Sequence, residues 1–282
     1  MKTGLVMEGG AMRGMFTAGV IDIIMENDIT FDGAIGVSAG AAFGCNIKSK
    51  QIGRAIRYNM KYCNDPRYCG IKTLLKTGNI FSKDFAYGTV PLELDPFDFD
   101  TYINNPMDFY MVCTDIKTGK PVYHNYKGTE NNGFDWVRAS SAMPLVSEIV
   151  EIDGKLLLDG GVSDSIPLKY FQEIGYEKNI VILTQPPGYT KEKNKAISLM
   201  KIKYRKYPNL IKTAANRHIC YNNTLAYIKD QEALGNTLVI QPQAKLPVSR
   251  VEKNPDNLKN TYEIGRQTAT NMLPQIKKFL EN

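Results

Sequence analysis

Short apolar runs alternate with stretches of helical periodicity along the first half of the chain. "TGLVM" (3–7) is apolar and stops at "EGG", and "RGMFTAGVIDIIMEND" behind it spaces its apolar residues as a helix does. "FDGAIGVS" is a second short apolar segment, followed by the small, helix-compatible "AGAAFGCNIKSKQ". Each unit reads strand, sharp turn, helix. Two in succession predict βαβ connections and a parallel sheet.

The pattern then loosens. Residues 60–105 scatter Cys, Tyr, Pro and Asp and predict loops and short helices, a cover over a site. "MDFYMVCTDIKTGKPVYHNY" predicts two strands around a Thr-Gly turn. "FDWVRASSAMP" predicts a helix ending near Pro144, and "SEIVEIDGKLLLDGG" a hairpin with Asp153-Gly154 at its turn. "PLKYFQEIGYE" reads as a helix with Pro167 in its first turn, and "NIVILTQ" as a buried strand. The last hundred residues change character: a basic helical stretch, one strand in "NTLVIQPQ", and a final helix capped at Asn254-Pro255 that Pro274 should kink or split. The fold class expected is α/β, three-layer α/β/α with a mainly parallel central sheet. Residues 1–190 are expected to form the core, and residues 191–282 a basic helical extension with one strand, packed on that core.

Composition narrows the class. The 282 residues are 43% hydrophobic and 23% charged, which suits a folded domain with a large core. A net charge of +6 is too small to indicate nucleic acid but suits an anionic partner such as a membrane surface. Five cysteines at irregular spacing, with no CxxC, predict reduced thiols in a cytoplasmic protein, and neither a disulfide scaffold nor a zinc site. No signal peptide, transmembrane helix, cofactor or metal is expected.

The chemistry begins at "GVSAG" (36–40). A chain leaving a strand and entering a helix within a few residues holds its apex serine, Ser38, in a strained conformation. Bulk two residues to either side would collide, so Gly36 and Gly40 fit. An acyl-transfer serine needs fixed donors for its oxyanion, and Gly9-Gly10-Ala11 follows the first strand at the right sheet edge. "GGAMRG" fits neither G-x-G-x-x-G nor a Walker A loop. Arg13 is open to two readings, orienting the loop or holding a lipid phosphate, against a plain surface ion pair.

The base is less obvious. His124 lies between aromatic residues on a strand and His218 in a basic helix, neither in a catalytic-looking turn. Asp159 ends the apolar "KLLL" before Gly160-Gly161. A free carboxylate is a weak base for a hydroxyl, and desolvation would strengthen it.

With these segments in order, the chain resembles the patatin-like phospholipases. "EGGAMRG" (8–14, with Arg13 and Gly14) matches that family's glycine-rich oxyanion loop, "GVSAG" its serine motif and "DGG" (159–161) its aspartate motif, with "ASSAMP" (139–144) also similar. The resemblance covers roughly residues 4–190. It implies Ser38 as nucleophile, Asp159 as base without histidine, and the Gly9, Gly10 and Ala11 amides as the oxyanion hole. The implied substrate is a phospholipid or other acyl lipid. Ala11 departs from the family, where a third glycine is common.

Two other readings stand beside it. A Ser–Asp–His esterase could use His218. A non-catalytic lipid-binding module could dock the segment from Lys191 to Arg217 on anionic membrane, since its two ends and the seven Lys and Arg between them (193, 195, 201, 203, 205, 206 and 212) face the single acid Glu192.

Overall fold

Alternation along the strands decides how the layers form. The computed structural model describes residues 1–130 and 134–281. β1 (Lys2–Met7) is followed by α1 (Gly14–Glu26), and β2 (Gly33–Val37) by α2 (Ala39–Lys48). α3 (Arg54–Tyr62), α4 (Ile71–Thr77), a π-helical turn (Phe85–Leu94) and α5 (Phe99–Asn104) occupy the aromatic-rich stretch. Then come β3 (Asp108–Asp115), β4 (Pro121–Asn125), α6 (Asp135–Ser140), β5 (Val150–Ile152), β6 (Lys155–Asp159) and α7 (Leu168–Glu173). β7 (Tyr176–Ile182), α8 (Ile197–Lys203), α9 (Pro208–Ala233), β8 (Thr237–Ile240) and α10 (Pro255–Glu281) complete the chain.

Val6, Ile35, Val37, Val112 and Val181 pack against α7 and α9 through Leu168, Phe171, Tyr221 and Ile228. Their alternates Leu5, Met7, Ala34, Ile180 and Ile182 pack against α1 and α2 through Phe16, Val20, Ile24 and Ala41. Strands buried on both faces give the near-continuous apolar runs seen in the sequence. The result is the expected three-layer α/β/α fold: β3, β2, β1, β7 and β8 are mutually parallel, and β4, β5 and β6 join antiparallel.

β3 positions the site. Residues 110–112 pair with β2 and β4 at once, and residues 113–114 pair with β4 and β6 at once. β2 and β6 therefore lie end to end on the same edge of β3. β2 stops at Val37 opposite Val112, and antiparallel β6 stops at Asp159 opposite Cys113. The residues leaving these two strands must meet.

The C-terminal segment is built into this frame. β8 extends the parallel sheet beside β7, and α10 lies on α1. The two helices cross backbone to backbone: a Cβ on Gly19 would strike the Tyr262 carbonyl, and one on Gly265 the Phe16 carbonyl. Tyr262 Oη donates to buried Asp22 at 2.6 Å, and Arg266 pairs with Glu26 at 2.8 Å. Pro274 does not split α10, which runs unbroken from residue 255 to 281. Thr270, whose carbonyl loses its amide donor there, is exposed, so water can satisfy it. Gly265→Leu should lower stability by about 3 kcal/mol, read as a lower urea midpoint; an unchanged midpoint would show that the helices can separate freely.

Candidate active site

Ser38 stands at the end of β2 with φ 55° and ψ −120°, a conformation disfavoured for residues with a Cβ. The turn is held by close backbone approach. A Cβ on Gly36 would strike the Gly40 carbonyl, and one on Gly40 the Met7 carbonyl. Ser38 Oγ donates to Asp159 Oδ2 at 2.7 Å, and both residues are buried, at 8% and 6% exposure. Asp159 Oδ1 accepts the Gly161 amide at 2.7 Å. Burial raises the Asp159 pKa above its ordinary 3.8, while the Ser38 hydroxyl, Arg217 and the Gly161 amide pull it back. The carboxylate is thereby a stronger base than one in water.

The first glycine loop lies against this turn. A Cβ on Gly9 would come within 2.9 Å of the Val37 carbonyl and 3.1 Å of Ser38 Cβ. The Gly9 and Gly10 amides donate to no group among the described residues. Ala11 adopts φ 49° despite its Cβ, at a cost of roughly 1 kcal/mol. Gly14 makes room for Ala39 and Phe43. Arg13 forms no ion pair among the described residues, so the surface-pair reading fails. Its side chain lines the same cleft as Ser38.

Several residues that complete the site were not singled out by sequence. Ser140, in "ASSAMP", donates to the Val112 carbonyl at 2.7 Å and accepts the Ser38 amide at 2.9 Å. It bridges the point where β2 ends and β3 loses its partner. Gly160, which the DGG motif already marks, lets the chain pass over that carbonyl, which a Cβ would strike. Glu8 is buried at the end of β1, where its Oε2 accepts the Thr184 amide at 2.6 Å and its Oε1 the Tyr221 hydroxyl at 2.6 Å. Arg217 reaches in from α9, its Nη2 standing 3.1 Å from where a Gly161 Cβ would lie. A signal for it existed: Leu210, Ala214, Tyr221 and Ile228 are the buried residues of α9, and position 217 falls on their seam.

The histidines stand apart from the Ser38–Asp159 contact. His124 stacks on Trp136 at 3.7 Å and reaches Glu130 at 3.1 Å. His218 borders the cleft, but its Nδ1 lies 3.1 Å from the Ala215 carbonyl. Both Asp159 oxygens are already engaged by Ser38 and Gly161.

Two cavities meet at Ser38. A narrow one of about 70 Å³ is walled by apolar groups including Met12, Phe43, Tyr58, Val90 and Phe134. A wide cleft of about 740 Å³ is bordered by the glycine loop, Asp159, Lys191, Arg217 and Arg250. An ester at Ser38 would have an apolar channel on one side and a polar, cationic space on the other.

A family model described as patatin-like phospholipase matches residues 5–171, and one described as a domain of unknown function (DUF6363) matches residues 207–281. The uncharacterized protein YjjU of Escherichia coli is 29% identical over 290 residues, covering 99% of this chain and 79% of that protein. Lysophospholipase nte1 of Aspergillus terreus is 28% identical over 187 residues, 62% of this chain; the match spans only 11% of that protein. The crystal structure of VipD from Legionella pneumophila aligns with a TM-score of 0.48 at 13% identity, over 97% of this chain and 67% of that one.

The electrostatics of Asp159 can be read through the reactivity of Ser38. The rate of modification by a fluorophosphonate should fall as pH drops through an acid limb above 3.8, because burial raises that pKa. Arg217→Gln removes a cation that favours the carboxylate, so the limb should move to higher pH; an unmoved limb would mean that Arg217 does not act on Asp159.

Proposed function

The chain belongs to the patatin-like phospholipase family, and on that premise we propose that it hydrolyses acyl esters of phospholipids or other acyl lipids through a Ser38–Asp159 dyad. The observation carrying this reading is the direct 2.7 Å donation from Ser38 Oγ to the Asp159 carboxylate, with no histidine between them. Asp159 takes the Ser38 proton as Oγ adds to the ester carbonyl. The amides of Gly9, Gly10 and Ala11 bind the oxyanion. The tetrahedral intermediate collapses, the alcohol leaves with the proton from Asp159, and the acyl group stays on Ser38. Water then attacks the acyl-enzyme, giving a proton to Asp159, and collapse returns it to Ser38. The acyl chain runs into the apolar channel and the alcohol portion faces the wide cleft.

Ser38→Ala and Asp159→Asn should each reduce hydrolysis of a long-chain p-nitrophenyl ester by roughly 10⁴-fold with the fold intact by circular dichroism. His218→Gln should retain activity within about an order of magnitude. Total loss with His218→Gln would favour a Ser–Asp–His triad.

The reading extends to the surface on which such a substrate lies. No helix among the described residues is long and apolar enough to cross a membrane. All five cysteines are unpaired, which suits a cytoplasmic enzyme that meets its lipid peripherally. α8 supports that contact: Leu199 and Ile202 are 61% and 75% exposed among Lys201 and Lys203, while Met200 of the same helix borders the cleft. Replacing Leu199 and Ile202 together by Ser should weaken co-sedimentation with phosphatidylglycerol vesicles by about an order of magnitude; undiminished binding would exclude α8 as the contact.

A further inference from the structure

The wide cleft beside Ser38 carries a surplus of positive charge, most of it supplied by residues beyond position 190. Arg13, Lys191, Arg217 and Arg250 border it, and none of them forms an ion pair among the described residues. The acids at hand are spoken for. Asp159 holds Ser38 and Gly161, Glu192 lies 3.8 Å from Lys195, and Glu8 binds Thr184 and Tyr221. The Nε atoms of Arg13 and Arg217 are closed off from solvent and have no hydrogen-bond partner, although Arg217 Nη2 reaches Ser165 Oγ at 3.4 Å. Neither guanidinium is committed to a protein carboxylate, so the part of each that borders the cleft is left to bind an anion.

Lys191 is fixed rather than loose. Its amide donates to Asn222 Oδ1 at 2.8 Å, its carbonyl accepts from Asn222 Nδ2 at 3.2 Å, and its Nζ lies 4.1 Å from the centre of the Tyr221 ring. Burial and the neighbouring Arg217 push its pKa down to about 8, an effect that a bound anion would reverse.

We propose that Arg13, Lys191, Arg217 and Arg250 form an anion subsite that binds the headgroup phosphate and selects lipids with net negative heads over zwitterionic ones. This rests on the acyl-hydrolase reading above. Arg217 is separated from Asp159 only by Gly161, so a phosphate on its guanidinium lies near an ester at Ser38. A choline ammonium would meet four cations with no free carboxylate to receive it. The aromatic faces that could cage it, Tyr221 and Tyr189, already carry Lys191 Nζ at 4.1 and 5.7 Å.

Binding is measured first without turnover, by calorimetry on the Ser38→Ala protein. Glycerol 3-phosphate should bind, a 1-acylglycerol 3-phosphate more tightly, and adding Arg217→Gln should weaken both about tenfold or more. Arg217→Lys should lose less, and Lys191→Gln, at a position outside every helix and strand, serves if the arginine variants misfold. In the active enzyme, kcat/KM for the 1-acylglycerol 3-phosphate should exceed that for lysophosphatidylcholine by about tenfold or more, and Arg217→Gln should collapse that ratio through KM. The proposal is overturned if glycerol 3-phosphate does not bind, if binding ignores both Arg217 and Lys191, or if the zwitterionic lipid is hydrolysed equally well. Inorganic phosphate binding as tightly as the acyl lipid would overturn the headgroup assignment. A fluorophosphonate that fails to label Ser38 in the unsubstituted protein would defeat the dyad instead, leaving the calorimetric result to stand on its own.

Discussion

One edge of β3 is shared end to end by two strands running toward each other, and the site depends on that arrangement. β2 uses the edge up to Val112 and β6 takes it from Cys113, so Ser38 and Asp159 are delivered to the same point from opposite directions. Neither side chain has to reach far. The junction leaves backbone groups with no strand partner, and buried polar groups must be paired. Ser140 does this with one hydroxyl, donating to Val112 and accepting from Ser38, and Thr114 Oγ1 ties the Asp159 carbonyl at 2.8 Å. The same hydrogen bonds that satisfy the junction fix the backbone of Ser38 and Asp159.

Close approach is the second requirement, and it explains which positions tolerate no side chain. Gly9, Gly36, Gly40 and Gly160 each face a backbone carbonyl where a Cβ would collide. Ser38 and Ala11 bear the strain that remains, both with positive φ. Such conformations persist only when the surroundings over-determine them. Here the surroundings include Glu8, which anchors the start of the glycine loop to Thr184 after β7 and to Tyr221 on α9.

These features were unequally legible in the sequence. Apolar runs and glycine turns marked nearly every strand, because parallel strands buried on both faces leave that pattern. Ser38, Asp159 and the glycine loop could be named because steric and chemical demands fall on adjacent residues. Ser140 and Glu8 lay inside matched segments, but their roles could not be read, since their partners lie far along the chain. Pro274 shows the opposite error: its ring signals a break, yet an exposed turn absorbs the lost hydrogen bond. The basic stretch 191–217 divides when its residues are taken one by one. Lys201 and Lys203 are exposed, Lys193 and Lys195 border the cleft at its exposed rim, and Lys191 and Arg217 are partly buried in its wall. Net charge cannot separate these groups; for Arg217, position on the α9 seam can.

That seam bears on how the two matched regions depend on each other. The patatin-like region ends at residue 171, and the second begins at 207. Yet Tyr221 from the second region gives Glu8 Oε1 its hydrogen bond, and Arg217 borders Asp159. Without α9 Glu8 Oε1 would lose its hydrogen bond from Tyr221, a loss of about 1–3 kcal/mol. The glycine loop directly beyond Glu8 would lose part of its anchor, and the cleft would lose its cationic wall. Ser38 and Asp159 thus belong to one region, while the electrostatic field around them depends on the other. A sequence match confined to the first region contains the Ser38–Asp159 contact and leaves its setting to residues it does not contain.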